Sequence, residues 1–142
     1  MSDLFEFYID GRWVKPHGQI VETVVNPSTE QVVARIMLGD AHDVDLAVGA
    51  ARRAFAAFAA SSLQARIELL QGIIEAYEHH SEALIEAVHL EMGAPLSLAR
   101  SAHVPAGLGH LVKALDVLRE YRFERRLGNT LVVREPIGVC VR

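Results

Sequence analysis

Cys140 is the only thiol in the sequence, and it is therefore the first candidate for a catalytic nucleophile. A reactive thiolate needs a neighbouring base or a helix N-terminus to hold its charge. Cys140 instead lies between Val139 and Val141 in a strand-like run, and apolar surroundings keep a thiol protonated and inert. We therefore predict that Cys140 is a buried strand residue without a catalytic role.

Phosphate-binding and metal-binding motifs are weak in this sequence. Gly107-Leu108-Gly109 has no third glycine and follows Pro105 where a dinucleotide fingerprint would require a strand, so close helix packing is the favoured interpretation. His103 and His110 could share a helix face, but no zinc-ligand spacing occurs. The residues alone therefore predict no complete catalytic or cofactor site.

The first forty residues predict strands. Phe5, Phe7 and Ile9 alternate with polar or aromatic neighbours at a period of two, and Asp10-Gly11 is a strong hairpin signal. Two further runs, residues 20–25 and 31–38, flank an Asn-Pro-Ser-Thr turn. The sequence therefore predicts an N-terminal β-hairpin followed by two further strands.

Helices are predicted from residue 40 to residue 121. Asp40 is a good N-cap with Asp43 three residues later, and Ser61 with Gln64 has the spacing of a capping box. A polar cluster at residues 78–81 breaks the second helix, Gly93 and Pro95 end the third, and a last helix begins near Pro105. The predicted buried stripe of the first helix is Val44, Ala47, Val48, Ala51, Phe55 and Phe58.

The composition excludes several classes of protein. The chain has 142 residues, of which 51% are hydrophobic and 23% charged, and these values are typical of a folded globular chain. The net charge of -4 argues against a nucleic-acid partner, and no apolar stretch approaches the roughly 20 residues of a membrane span. The acidic start is not a secretory signal, and one cysteine indicates a reducing, cytoplasmic location.

Five segments, in order along nearly the whole sequence, resemble the aldehyde dehydrogenase family. The segments are Phe7-Tyr8-Ile9-Asp10-Gly11-Arg12-Trp13-Val14, Val25-Asn26-Pro27-Ser28-Thr29-Glu30, residues 43–55, Leu90-Glu91-Met92-Gly93-Ala94-Pro95 and Arg134-Glu135-Pro136-Ile137-Gly138-Val139. This resemblance implies an α/β fold with an N-terminal β-hairpin and strands, then a helical cluster and the start of a bridging sheet. Residues 1–121 would hold the hairpin and the helices that pack on a cofactor-binding domain, and residues 122–142 would begin the oligomerisation strands.

The resemblance also implies an activity. Family members use NAD or NADP to oxidise an aldehyde to a carboxylic acid through a cysteine thiohemiacetal. Their nucleophile, catalytic glutamate and oxyanion asparagine would lie beyond Arg142, and Cys140 does not match the nucleophile. We therefore assign no catalytic or cofactor-binding residue to this chain and predict that it is inactive alone, as the N-terminal part of a larger enzyme.

The resemblance further implies a monovalent cation and an oligomer. The backbone carbonyls of Val24 and Val25 and the carboxylate of Glu91 match the positions that hold the cation in many family members, and hard cations prefer oxygen ligands. The complete enzyme would be a homodimer or homotetramer that acts on a small-molecule aldehyde. The alternative is an isolated helical interaction or oligomerisation fragment without catalysis of its own.

Overall fold

Strands and helices alternate in blocks along residues 3–140, the part of the chain that this computed structural model describes. None of the helices in that part is long and apolar enough to cross a membrane. The elements in chain order are β1 (Phe7–Ile9), β2 (Arg12–Val14), β3 (Ile20–Asn26), β4 (Gln31–Leu38), α1 (Ala41–Ala59), α2 (Leu63–His79), α3 (Ser81–Met92), α4 (Leu96–Leu98), a π-helical turn (Ala99–His103), α5 (Val104–Glu120), β5 (Glu124–Leu127) and β6 (Thr130–Val133).

The strands form three separate antiparallel pairs, β1–β2, β3–β4 and β5–β6. The predicted Asp10-Gly11 hairpin is confirmed: Asp10 and Gly11 have φ values of +56° and +77°, the left-handed geometry that a two-residue hairpin turn requires. Leu4 adds a short parallel bridge to β4 through its N–H and carbonyl groups. The mixed helix-and-strand architecture agrees with the fold class expected from the sequence.

The hydrophobic core lies among α2, α3, α5 and the π-helical turn. Its centre is formed by Ile85, Ala99 and Val104, each at most 5% exposed. The Tyr77 hydroxyl donates a 2.9 Å hydrogen bond to the carbonyl of Val104, which ties α2 to the start of α5. The half-buried side chains around this centre are Tyr77, Leu84 and Val88.

The region before α5 is helical but irregular. Residues 96–103 form one short turn and then a π-helical turn, and Pro105 occupies the first turn of α5. Proline has no N–H to donate, which matters least in a first helical turn, and a π turn widens the backbone just before it. The predicted helix start near Pro105 is therefore confirmed, but the helix continues from the π turn without a break.

The predicted buried stripe of α1 is mostly uncovered. Val44, Ala47, Ala51 and Phe58 are exposed, and only Val48 and Phe55 of the stripe are half-buried. The face of α1 that is buried carries Asp43 and Ala50, because α1 packs mainly on β1. The predicted helical periodicity is correct, but no element of the described residues packs against the apolar stripe and covers it.

The surface of the chain is large for its mass. The accessible surface is 10733 Å². A compact monomer of 15.6 kDa would expose about 7,200 Å². All eight residues of the β5–β6 pair are exposed, which leaves both faces of that hairpin open. Most of the apolar side chains are therefore only partly covered by this chain's own elements.

Two further sequence predictions are wrong. Cys140 is exposed and follows an irregular segment, not a buried strand. The reason is that Pro136 has no N–H for a ladder, and no strand of the described residues lies beside this segment. Val141, in the predicted run, and Arg142 lie outside the described residues. The N-cap of α2 is Ser62, whose hydroxyl accepts the Ala65 N–H at 3.1 Å, not Ser61.

Candidate functional site

The turn after β3 is held by Asn26, which is 5% exposed. The Asn26 side-chain oxygen accepts the Ser28 N–H at 2.8 Å, and its carbonyl accepts the Glu30 N–H at 2.8 Å. Pro27 fixes its own φ and disfavours helical geometry at Asn26. The Asn-Pro-Ser-Thr segment predicted as a turn is therefore a rigid, hydrogen-bonded turn at the end of β3.

The carboxyl end of α3 lies against this turn. Gly93 ends α3 with a φ of +66°, and a Cβ added there would lie 3.0 Å from both Pro27 Cγ and the Ser28 nitrogen. The ring Nδ1 of His89 is 2.7 Å from the carbonyl oxygen of Ala94, which fixes the chain as it leaves the helix. The predicted Gly-then-Pro stop is confirmed, and it brings α3 onto β3.

The three predicted cation ligands lie on these two adjoining elements. Val24 and Val25 flank a β-bulge at which β4 provides one extra residue, Val33. The bulge leaves Val33 out of the regular ladder, while Val24 and Val25 stay paired with Ala34 and Val32. Glu91 is exposed in the last turn of α3, where unpaired helix carbonyls add partial negative charge. The carbonyl and carboxylate oxygens of these residues are donors of the type that hard cations prefer, and they lie on two elements that contact each other.

Gly93→Ala tests the contact between α3 and the turn. We expect the free energy of unfolding of the 142-residue chain to fall by about 2 kcal/mol, because alanine is strained at positive φ and its Cβ would press on Ser28. Chemical denaturation monitored by circular dichroism measures the change. A Gly93→Asn variant should lose less stability, since asparagine tolerates left-handed geometry better. Equal stability of wild type and Gly93→Ala would contradict the described helix end.

Asp43 is a second residue that connects separate elements, and most of its contacts join positions that are distant in the sequence. Its carboxylate accepts backbone N–H groups from His17 at 2.8 Å, Gly18 at 3.0 Å and Asp40 at 3.0 Å. The sequence indicated the last of these as a capping partner but not the two that join the β2–β3 connection to α1. The carboxylate of Asp43 therefore holds the hairpins at the N-terminus of α1.

Hydrogen bonds around Asp43 and Asp40 shift the pKa values of these carboxyl groups and of His17. The N–H groups of His17 and then Asp40 lower the pKa of Asp43 from 3.8 to about 2. The His17 ring lies 2.6 Å from a carboxylate oxygen of Asp40, and this contact raises the pKa of His17 and lowers the pKa of Asp40. Both side chains of the His17–Asp40 pair are substantially exposed, so the pair adds little stability.

Asp43 contributes to the loss of stability in acid, together with Asp3 and Asp40, whose pKa values are also lowered by hydrogen bonds to Arg35 and His17. Because the pKa of Asp43 is lower in the folded chain, its stabilisation is present above pH 3.8 and is lost as the pH falls through about 2. We expect the free energy of unfolding to decrease between about pH 4 and pH 2, and Asp43→Asn to flatten this slope. Denaturation at a series of pH values measures it, with exposed Asp45→Asn as the control. Identical slopes in wild type and Asp43→Asn would refute this role.

The remaining candidate residues do not form a site. A Cβ on Gly107 would lie 3.0 Å from Tyr77 Cζ, so Gly107 allows close packing of α5 on α2, as the favoured interpretation predicted. Gly109 has no such neighbour. In the described residues, no group of three or more His, Cys, Asp or Glu side chains is placed to hold a metal ion. The hairpins and helices thus form a scaffold around the β3–α3 contact.

Comparison with known proteins identifies this scaffold. The sequence model of the Aldehyde dehydrogenase family matches residues 13–142. The chain therefore belongs to the aldehyde dehydrogenase family, and it corresponds to an N-terminal segment of the fold.

Individual relatives give the extent of the match. A 3-succinoylsemialdehyde-pyridine dehydrogenase from Pseudomonas sp is 50% identical over 141 residues, covering 99% of this chain and 30% of the relative. Aldehyde dehydrogenase C of Pseudomonas syringae, solved as a cysteine-to-alanine mutant with NAD+ and octanal, is 45% identical with a TM-score of 0.89, over 93% of this chain and 27% of that one. An aldehyde dehydrogenase from Bartonella henselae is 30% identical with a TM-score of 0.85, over 91% and 27%. The chain spans about 30% of the length of the curated relatives it matches.

Proposed function

We propose that this chain supplies the N-terminal part of an NAD(P)-dependent aldehyde dehydrogenase that oxidises an aldehyde to a carboxylic acid. The observation that carries the proposal is the family match over residues 13–142, together with 50% identity to a semialdehyde dehydrogenase. NAD+ and octanal bound to the similar Pseudomonas syringae enzyme support the cofactor and the substrate class. When bound, NAD or NADP accepts the hydride of the reaction.

In this proposal the catalytic residues lie outside these 142 residues. The cysteine that forms the thiohemiacetal would be supplied by the rest of the fold and not by Cys140. Residues 1–121 would pack on the cofactor-binding domain through their hairpins and helices, and residues 122–142 would begin the bridging sheet. The large open surface and the uncovered stripe of α1 support this role, because they leave apolar side chains for another domain to cover.

Joining the chain to the C-terminal remainder of the Pseudomonas semialdehyde dehydrogenase tests this function. We expect the joined protein to reduce NAD or NADP in the presence of an aldehyde, and the 142-residue chain alone to show no turnover. Absorbance of the reduced nicotinamide measures both. Turnover by the chain alone would contradict the proposal that the catalytic residues lie outside these 142 residues. A folded but inactive joined protein would contradict the proposed function.

We also propose a monovalent cation at Val24, Val25 and Glu91. The carbonyls at the bulge and the carboxylate at the end of α3 support it through their oxygen chemistry. In the joined protein, Glu91→Gln should raise the K⁺ concentration for half-maximal thermal stabilisation by about tenfold, which corresponds to about 1.4 kcal/mol. Glu86→Gln, an exposed position on the same helix, is the matched control. An unchanged K⁺ dependence in Glu91→Gln would exclude the site.

The proposed enzyme is a cytoplasmic homodimer or homotetramer. The fully exposed β5–β6 hairpin supports this assembly, because an isolated pair of strands is marginally stable and has open edges for a further strand. Light scattering of the joined protein tests it, and a monomer would contradict it. The alternative of an isolated interaction fragment is not favoured, since the family match extends over nearly the whole chain.

A further inference from the structure

We propose that Arg66 is a positioning residue, which fixes the angle at which the β5–β6 hairpin leaves the helices and so aligns that hairpin with a second subunit. Arg66 acts through a continuous row of side chains, the arginine–aromatic stack, formed by Arg66, Phe123, Tyr121 and Arg134. The inference rests on the proposed assembly and deepens it by naming residues on which that assembly depends.

The guanidinium of Arg66 is held in one orientation by the junction between α1 and α2. Its Nε donates a 2.9 Å hydrogen bond to the Ser61 hydroxyl oxygen, and one terminal nitrogen donates a 2.8 Å bond to the Ala59 carbonyl. The Ser61 hydroxyl is itself oriented, because it donates to the Phe58 carbonyl at 2.6 Å. Two donors on one planar group fix its plane as well as its position, which a lysine ammonium group cannot do.

Within residues 3–140, neutral groups hold the charge of Arg66, which forms no ion pair with a carboxylate there. The guanidinium carbon of Arg66 lies 5.9 Å from the centre of the Phe123 ring, whose negative face attracts the cation. Both side chains are half-buried, and partial shielding from water strengthens such a contact. The Arg66–Phe123 contact therefore joins the α1–α2 junction to the segment that leads into β5.

The stack continues from Phe123 to the end of β6. The rings of Phe123 and Tyr121 are 4.8 Å apart in an edge-to-face arrangement. The Arg134 guanidinium carbon lies 5.5 Å from the centre of the Tyr121 ring, and its terminal nitrogen donates to the Tyr121 hydroxyl. The Arg134 N–H also donates a 2.9 Å bond to the Phe123 carbonyl. One set of contacts therefore connects both ends of the hairpin to the start of α2.

The stack lies at the base of the hairpin and therefore controls the position of its tip. All eight residues of β5 and β6 are exposed, so the stack provides most of the contact that orients them. A strand of about four residues extends about 13 Å, so a tilt of about 20° at the base would move the tip by about 4.5 Å. Paired strands are separated by about 4.8 Å, and a strand of a second subunit would then no longer meet its partner groups.

The test measures subunit dissociation in the protein that joins this chain to the C-terminal remainder of the Pseudomonas dehydrogenase. We expect Arg66→Lys, which keeps the charge but loses the planar pair of donors, to raise the dissociation constant of the assembly by at least about tenfold. Sedimentation equilibrium measures that constant. Arg119→Lys is the matched control, because Arg119 is exposed on α5 with only a 3.9 Å contact to Asp116, and it should change the constant by less than about twofold.

Variants of Phe123 distinguish positioning from a general loss of subunit stability. Phe123→Tyr keeps the ring and should assemble within about twofold of wild type, whereas Phe123→Leu should weaken assembly by at least about tenfold. The double variant Arg66→Lys, Phe123→Leu should be no weaker than the weaker single variant, because both substitutions remove the same contact. A general loss of stability would instead give additive effects.

The outcomes also separate this inference from the proposed activity. If the joined protein is active but Arg66→Lys and Arg119→Lys assemble equally well, or if the effects of Arg66→Lys and Phe123→Leu add, the inference is wrong while the proposed function stands. An active joined protein that is monomeric would overturn both the proposed assembly and the inference. A joined protein that assembles with the expected variant effects but does not reduce NAD or NADP would support the inference and contradict the proposed activity.

Discussion

Gly18→Ala is expected to lower the free energy of unfolding of the chain by at least about 3 kcal/mol. A Cβ at this position would lie far inside van der Waals contact of the Leu38 carbonyl oxygen and 3.2 Å from the Asp40 nitrogen. Both of these atoms belong to the backbone, so no rotamer change can relieve the overlap. The backbone movement needed to relieve this overlap would also pull the Gly18 N–H away from the Asp43 carboxylate.

Gly72→Ala is the control for this experiment. Gly72 lies inside α2 with no atom within 4 Å of an added Cβ, so alanine there should increase stability by about 0.5–1 kcal/mol through helix propensity. Denaturant titration of both variants measures the difference. A Gly18→Ala chain as stable as wild type would show that the β2–β3 connection does not approach β4 as described.

Ile85→Ala should cost about 3 kcal/mol, the second-largest effect that we expect. Ile85 is 5% exposed and packs with Ala99 and Val104 at the centre of the core, so truncation leaves a cavity beside two small side chains. Ala99 is fully buried and cannot extend to fill the space. Thermal and denaturant unfolding of the 142-residue chain measure the loss.

Ile73→Ala is the matched comparison for Ile85. Ile73 lies on α2 with 44% of its surface exposed, so its truncation in the isolated chain should cost less than about 1 kcal/mol. Equal losses at the two positions would mean that the core does not lie among α2, α3 and α5. A larger loss at Ile73 than at Ile85 would place the core on the opposite side of α2.

Local structure was predicted well because its causes are local. The Asp10-Gly11 turn, the Asn26-Pro27 turn and the Gly93 helix stop each follow from the backbone preferences of one or two residues. The Asp40 cap with Asp43 was also predicted correctly. The capping box at Ser61 was displaced by one residue, because the Ser61 hydroxyl donates to the Phe58 carbonyl and accepts from Arg66, which leaves the cap to Ser62.

Burial was predicted less well, because burial depends on what covers a face. The helical period of α1 was correctly predicted, yet Val44 and Phe58 are exposed since the chain places β1 against a different face. Cys140 was expected in a buried strand and is exposed, because no strand of the described residues lies beside its segment. The bonds from Asp43 to His17 and Gly18 join positions more than twenty residues apart, and no spacing in the sequence indicates such a pairing.

The candidate site was predictable only through resemblance. The residues Val24, Val25 and Glu91 carry no signal of their own, since valine carbonyls and one helix-end glutamate occur in most proteins. The structure adds that the elements holding them meet through Gly93 and the Asn26–Pro27 turn. That contact is a physical reason to test the site, and the K⁺ titration of Glu91→Gln is the measurement that decides it.

The pairing of each strand with its sequence neighbour has a kinetic consequence. All three strand ladders close over short loops, so the entropy lost on closing them is small and they need not wait for distant segments. Chains dominated by such local contacts fold fast. During synthesis, the β1–β2 and β3–β4 hairpins can form transiently once they leave the ribosome, and because an isolated pair of strands is marginally stable, they become stable only when the helices that pack beside them have been made.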